Sequence, residues 1–229
     1  MTSKNEKLKF KTMSISLAKK LISCKFSTNL VILVMIFDPF TFSVKKQFGS
    51  DWFLIRPAKN EDRDLVWQGY KNAPKKFFNQ ITEITEKMVE LWYPAEREMN
   101  YDQVLPYNVM LLDEKEQEVA FAGNMTLGFR RVNRFNHSTM MGMGVLPNFQ
   151  KRGIGSFLTQ LSIDVAKAKP GIVRLELNVC ATNPARKIYL KHGYKEEGLL
   201  VKAWQYPDGS FDDVIPMSIV FNDKIKEID

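Results

Sequence analysis

From Thr139 to Leu146 the chain is almost entirely apolar. It then runs through Pro147-Asn-Phe-Gln-Lys-Arg into Gly153-Ile-Gly155 and a helical stripe of Ile154, Phe157, Leu158, Leu161 and Val165. A strand without polar alternation needs cover on both faces, so it belongs inside a sheet that carries helices. The stripe supplies one of those helices, which Pro170-Gly171 ends. The junction holds the chemistry. First-turn amides of a helix lack internal acceptors and lie at its positive dipole end, which suits a diphosphate. Gly153 and Gly155 allow close approach to that main chain, and Lys151 and Arg152 add positive charge. The same pattern taken alone also fits a plain turn with basic residues in water.

The remaining elements frame this unit. Trp52 to Arg56 reads as a strand, Glu61 to Tyr70 and Ile81 to Trp92 as helices, and Val109–Leu112 with Val119–Arg130 as a hairpin. In the second helix Ile81, Ile84, Met88 and Leu91 share the expected apolar face. Val173 to Val179 alternates as a strand. A short helix follows, with Asn183 placed to cap it, Pro184 in its first turn and Gly193 past its end. Two strands then flank Tyr206-Pro-Asp-Gly209, and Pro216 inside the last one implies an edge or a bulge. The sum is an α/β fold, a mixed sheet covered by helices.

Two other phosphate loops fail on their residues. No Gly-Lys-Ser/Thr is present for a Walker loop. A dinucleotide fingerprint needs a small residue where Leu158 stands, and Glu176 lies mid-strand instead of at a strand end.

Val145-x-Pro147-x-x-Gln150-x-x-Gly153-x-Gly155 resembles the acetyl-CoA diphosphate loop of the GNAT superfamily of N-acetyltransferases. Asn183-Pro-Ala-Arg-Lys-Ile-Tyr189-Leu-Lys-His-Gly193-Tyr194 is similar to the next motif of that superfamily, one residue shorter between Asn183 and Tyr189 than in many members. Asp208-Gly-Ser-Phe-Asp-Asp213-Val-Ile-Pro-Met217 resembles the last hairpin of the branch with spermidine and amino-acid acetyltransferases. Together the likenesses span about 139–220, and strand order extends them back to 52.

The resemblance implies a GNAT-type, mostly antiparallel central sheet with helices on both faces. It implies acetyl-CoA as cosubstrate, no metal, and an amine acceptor. Backbone amides of Gln150, Lys151, Arg152, Gly153, Ile154, Gly155 and Ser156 would hold the diphosphate, with Asn183 and Lys187 as further contacts. Met143, Gly144 and Val145 would splay from the neighbouring strand and pair with the pantetheine arm, one amide polarising the thioester carbonyl. Tyr189 would be the general acid that protonates the departing thiolate. His192 is expected at a helix end, outside catalysis. For the base that deprotonates the amine, Glu176, His137, Glu118 and a water chain all stay open. The acceptor is expected among Trp67, Tyr70, Phe77, Phe78, Trp92 and Tyr93; a polyamine would call instead on Glu83, Glu86, Glu90, Glu96 and Glu98.

The net charge of +7 belongs to residues 1–50, which hold nine lysines against Glu6 and Asp38; the remainder is balanced. That segment reads as a basic extension in water, with a membrane-surface or nucleic-acid contact as the alternative. Ile15, Ala18, Leu21 and Ile22 could form a short helix there, and 40–44 a strand. Residues 51–222 are expected to form the acetyltransferase domain and 223–229 a tail. Two cysteines, Cys24 and Cys180, give no disulfide framework, so a cytoplasmic setting is expected. The apolar run Leu30–Phe37 is too short to span a membrane. A small-molecule or amino-acid N-acetyltransferase leads; a protein N-acetyltransferase and a non-catalytic acyl-CoA sensor are the alternatives, and a homodimer is possible.

Overall fold

The computed structural model of the chain describes residues 37–73, 84–94, 99–129, 133–206 and 208–222. The chain divides into two units, Met1–Phe37 and Asp38–Asp229. The expected helix around Ile15–Ile22, Cys24, most of the run Leu30–Phe37, Ile81, Glu83 and the tail from 223 lie outside the described residues.

Among the described residues nine strands form one sheet: β1 (Val44–Phe48), β2 (Asp51–Pro57), β3 (Val104–Leu112), β4 (Glu118–Phe129), β5 (Ser138–Val145), β6 (Arg174–Cys180), β7 (Lys195–Glu196), β8 (Leu200–Gln205) and β9 (Phe211–Val220). Their order is β1-β2-β3-β4-β5-β6-β9-β7, with β8 also on β9. Among these pairs only β5 with β6 is parallel. The helices are α1 (Arg63–Lys71), α2 (Glu86–Trp92), α3 (Ile154–Ala168) and α4 (Arg186–Lys191).

Both faces of the sheet are covered, as a buried central strand requires. Val66 and Tyr70 of α1 and Val89 of α2 pack with Met110 and Phe121 of β3 and β4. On the opposite face Phe48 meets Phe53 and Phe157 of α3 edge-on, with ring centroids 5.9 and 5.8 Å away.

Four expectations change. The sheet begins at Val44 and not at Trp52, because Gly49 takes φ +67° and closes a two-residue hairpin that pairs Phe48 with Asp51. The chain from Asp38 packs on the same body, where Tyr107 donates its hydroxyl hydrogen bond to the Pro39 carbonyl. Helix α2 starts at Glu86 because the Thr85 hydroxyl accepts from the Met88 amide at 3.3 Å. Its inward residue is Val89, while Leu91 is 62% exposed. Finally, Pro216 sits in the interior of β9, opposite the interruption between β7 and β8; there the outer neighbour changes and a missing N–H is tolerated.

Gly123 sets how closely β4 and β5 approach. Its φ is +157°, and a Cβ built on it would lie 2.4 Å from the Gly144 carbonyl oxygen and 2.9 Å from the Val145 Cα. Both are main-chain atoms and cannot rotate away. Gly123→Ala should therefore destabilise the domain by about 2 kcal/mol or more, read as a lower midpoint in urea unfolding.

Candidate active site

β5 and β6 pair only from Ser138↔Arg174 to Met140↔Glu176. β5 nevertheless stays paired with β4 as far as Val145, and β6 with β9 as far as Cys180. Each arm of the resulting fork is thus fixed on its outer side. This corrects the expectation of a strand buried along its whole length: Thr139 and Met141 are buried, while Gly142 to Val145 open toward the fork. The Leu146 amide bonds the Ala122 carbonyl at 2.8 Å. Antiparallel alternation then turns the N–H and C=O groups of Met141, Met143 and Val145 away from β4, into the fork. The Val145 carbonyl accordingly accepts from Gln150 Nε2 at 2.9 Å.

At the fork's mouth stands the start of α3. Gly153, at φ +95°, turns the chain into the helix with no side-chain cap. The first intrahelical bond of this turn runs from the Phe157 amide to the Gly153 carbonyl, 3.0 Å. The amides of Ile154, Gly155 and Ser156 therefore have no acceptor within the helix. A Cβ on Gly155 would lie 3.8 Å from Ile188 Cδ1 and 3.9 Å from Met143 Cε. That point is where α3, α4 and β5 converge.

Fork and helix start open into one cleft of about 1650 Å³. Met143, Gly144, Val145, Gln150, Lys151, Gly153, Ile154, Gly155, Ser156, Asn183 and Tyr189 all line it. Arg152 and Lys187 do not. Arg152 pairs with Asp51, donates to the Asn148 carbonyl at 2.9 Å and lies over the Phe149 ring, so it braces the loop. That contact holds the Asp51 carboxyl below its ordinary range. Lys187 is exposed and borders a shallower hollow with Asn183 and Arg186. Asn183 Oδ1 accepts from the Ala185 amide at 2.9 Å, which shapes the entry to α4.

Tyr189 is buried on α4, its ring centroid 5.7 Å from that of Tyr194. Burial pushes its phenol up to about 12, so the hydroxyl keeps its proton at neutral pH. His192 at the end of α4 lies 2.8 Å from Ser156 Oγ. Burial, with Lys191 adding to it, holds this imidazole below its ordinary value and hence neutral at pH 7.

None of the three side chains considered as base lines the cleft. Glu118 is bound by Arg56, Glu176 pairs with Arg174 at 3.0 Å, and His137 is exposed. On the acceptor side Tyr70, Trp92 and Tyr93 line the cleft, whereas Trp67 packs on the core. Phe77, Phe78, Glu96 and Glu98 lie outside the described residues; Glu86 and Glu90 are exposed on α2.

The sequence reading missed a polar group on the far wall. Cys180, Thr182, Trp204 and Tyr206 line the cleft. Behind them Asp212 accepts from Thr182 Oγ1 at 2.5 Å and from Tyr206 Oη at 3.2 Å. Their separation in sequence hid them, and only the β8–β9 hairpin beside the end of β6 brings them together.

The family profile described as an acetyltransferase (GNAT) domain matches residues 107–196, from mid-β3 through the fork and α4 to β7. Over that stretch the chain is similar to a GNAT acetyltransferase domain. No curated protein matches the chain in sequence. Among solved structures it is similar to an acetyltransferase of the GNAT family from Streptococcus pneumoniae, with 21% identity over 73% of this chain and 99% of that one, TM-score 0.60. A spermidine N-acetyltransferase from Vibrio cholerae in complex with CoA and spermine gives 19% identity, 76% and 98% coverage, and TM-score 0.60. A ribosomal-protein-alanine N-acetyltransferase from Brucella melitensis gives 21%, 72% and 98%, and 0.54. At these identities the likeness is one of fold, and the GNAT architecture with helices on both faces agrees with it.

Proposed function

We propose that the protein transfers the acetyl group of acetyl-CoA to a primary amine of a small molecule or amino acid. One observation carries this reading: a strand fork with inward-facing main-chain groups opens directly onto the uncapped start of α3, with Tyr189 in the same cleft. That combination fits an extended carrier with a diphosphate at one end and an amide-bearing arm at the other. When bound, acetyl-CoA supplies an activated acyl group and a thiolate leaving group.

The residues of the chain divide the remaining work. Amides of Ile154, Gly155 and Ser156 hold negative charge at the helix start. Main-chain groups of Met143 and Val145 align the arm as an added strand would. An inward N–H of β5 stabilises charge as it develops on the thioester oxygen, and Tyr189 donates its hydroxyl proton toward the sulfur. The aromatic wall of Tyr70, Trp92 and Tyr93 favours an acceptor with an apolar or aromatic body.

Two measurements test this reading. Thiol release from acetyl-CoA should be stimulated by small amines in a screen that also contains peptides. Stimulation by peptides alone would transfer the assignment to protein acetylation, and stimulation by neither to an acyl-CoA sensor. Gly155→Ala should fold with unchanged stability, because its methyl meets only ordinary contacts. Because Gly155 lines the cleft beside the free helix-start amides, the added methyl should keep a diphosphate from them and weaken acetyl-CoA binding at least about tenfold, as read by titration calorimetry.

A further inference from the structure

The wall formed by β6, β8 and β9 carries a polar group that the acetyl-transfer reading leaves unused. Asp212 is 8% exposed, covered by its immediate neighbours and thinly surrounded beyond them. It makes no ion pair among the described residues. Covered charges in proteins are ordinarily paired. Asp212 has uncharged donors instead: Thr182 Oγ1 at 2.5 Å and Tyr206 Oη at 3.2 Å, with the Asp213 main chain and the Cys180 thiol beside them. The Thr182 contact leads in keeping its carboxyl below the ordinary range, so it is anionic at neutral pH.

The polarity of these bonds decides what the wall can bind. Each hydroxyl has one proton, and here each proton points at Asp212. Thr182 and Tyr206, which line the cleft, therefore have only lone pairs left to offer it. Cys180 Sγ lies 3.7 Å from Tyr206 Oη, and burial pushes this thiol up to about 11, so it remains a neutral donor and adds no negative charge. Trp204 is the neighbouring aromatic surface on the same wall. Lone pairs backed by an anion select a ligand that is cationic and rich in N–H donors. They reject a carboxylate or phosphate.

We propose that Thr182, Tyr206 and Asp212 form the seat for the acceptor's ammonium group, and that Asp212 takes its first proton through Tyr206. This rests on the acetyl-transfer reading and assigns the residues that seat and deprotonate its acceptor. The ammonium passes one proton to Tyr206 Oη as Tyr206 passes its own to Asp212 Oδ2. The freed nitrogen lone pair forms the bond to the acetyl carbon. The carbon–sulfur bond breaks with its electron pair on sulfur, which takes the Tyr189 proton. The second nitrogen proton restores Tyr189, and Asp212 returns its proton to solvent. The balance is ammonium plus thioester giving amide, thiol and one proton. Tyr206 touches the acceptor; Asp212 acts through it as a positioning residue.

The test uses the full chain saturated with CoA, phenethylammonium as probe, and 2-phenylethanol as its uncharged counterpart, both followed by titration calorimetry. Wild type should bind the ammonium at least about tenfold more tightly than the alcohol. Asp212→Asn should abolish that preference with CoA affinity within about twofold of wild type, since no diphosphate contact is touched. Tyr206→Phe keeps the ring, removes the hydroxyl and should reduce the preference as well; it serves as the second variant if Asp212→Asn fails to fold. A merely structural role would weaken both probes and CoA together. Equal binding of the two probes to wild type, or an unchanged preference in the variants, overturns the seat. A wild-type chain that binds no CoA instead overturns the acetyl-transfer reading on which the seat rests.

Discussion

Tyr189→Phe is expected to lower the acetyl-transfer rate at least about tenfold while acetyl-CoA binding stays near normal. The ring of Tyr189 is buried against Tyr194 and would be retained by phenylalanine, so packing of α4 is preserved. What disappears is the hydroxyl, for which the described residues supply no hydrogen-bond partner. Burial pushes that group up to about 12, so at neutral pH it holds the proton that a departing thiolate needs. A loss confined to kcat, with calorimetric affinity unchanged, is the expected signature. Unchanged turnover would remove Tyr189 from the mechanism.

Arg56→Met is expected to destabilise the domain by about 3–5 kcal/mol, because it breaks a covered ion network from one side only. The Arg56 side chain is 8% exposed and Asp62 5%. Arg56 Nη1 donates to Asp62 at 2.8 Å, its Nη2 to the other oxygen at 2.6 Å, and its Nε to Glu118 at 2.9 Å. Burial alone would lower the guanidinium's basicity; its hydrogen bonds to the two carboxylates overcome that and hold the group charged. Without Arg56 the two acids face each other with no counter-charge. The damage should reach the cleft, because Asp62 also accepts from Asn108 at 2.8 Å and Asn108 from Tyr93 at 2.9 Å. Thermal unfolding should show a midpoint lower by about 10 °C; a shift under about 2 °C would mean the network is immaterial to stability.

That network also shows where sequence reasoning stops. Local pattern located α3, its glycine start and the strand before it, because period, capping and turn chemistry are short-range properties. It also put Tyr189 and Asn183 at the cleft, since a motif carries its own spacing. It failed where partners are distant in sequence. Glu118 looked like an available acid because nothing local shows that Arg56 lies across the hairpin from it. Arg152 looked like a phosphate ligand until Asp51 of the first hairpin claimed it. Asp212, Tyr206 and Thr182 carried no signal separately, for their meaning lies in a wall made by three strands. The fork itself was legible only through resemblance, because splay is a property of which pairings stop and which continue.

Titration calorimetry of the purified, folded chain with acetyl-CoA and with free CoA tests the central claim most directly. Main-chain amides at the start of α3 should give saturable one-to-one binding of both, weakened alike by Gly155→Ala. A folded protein that evolves no heat with either compound would contradict the account.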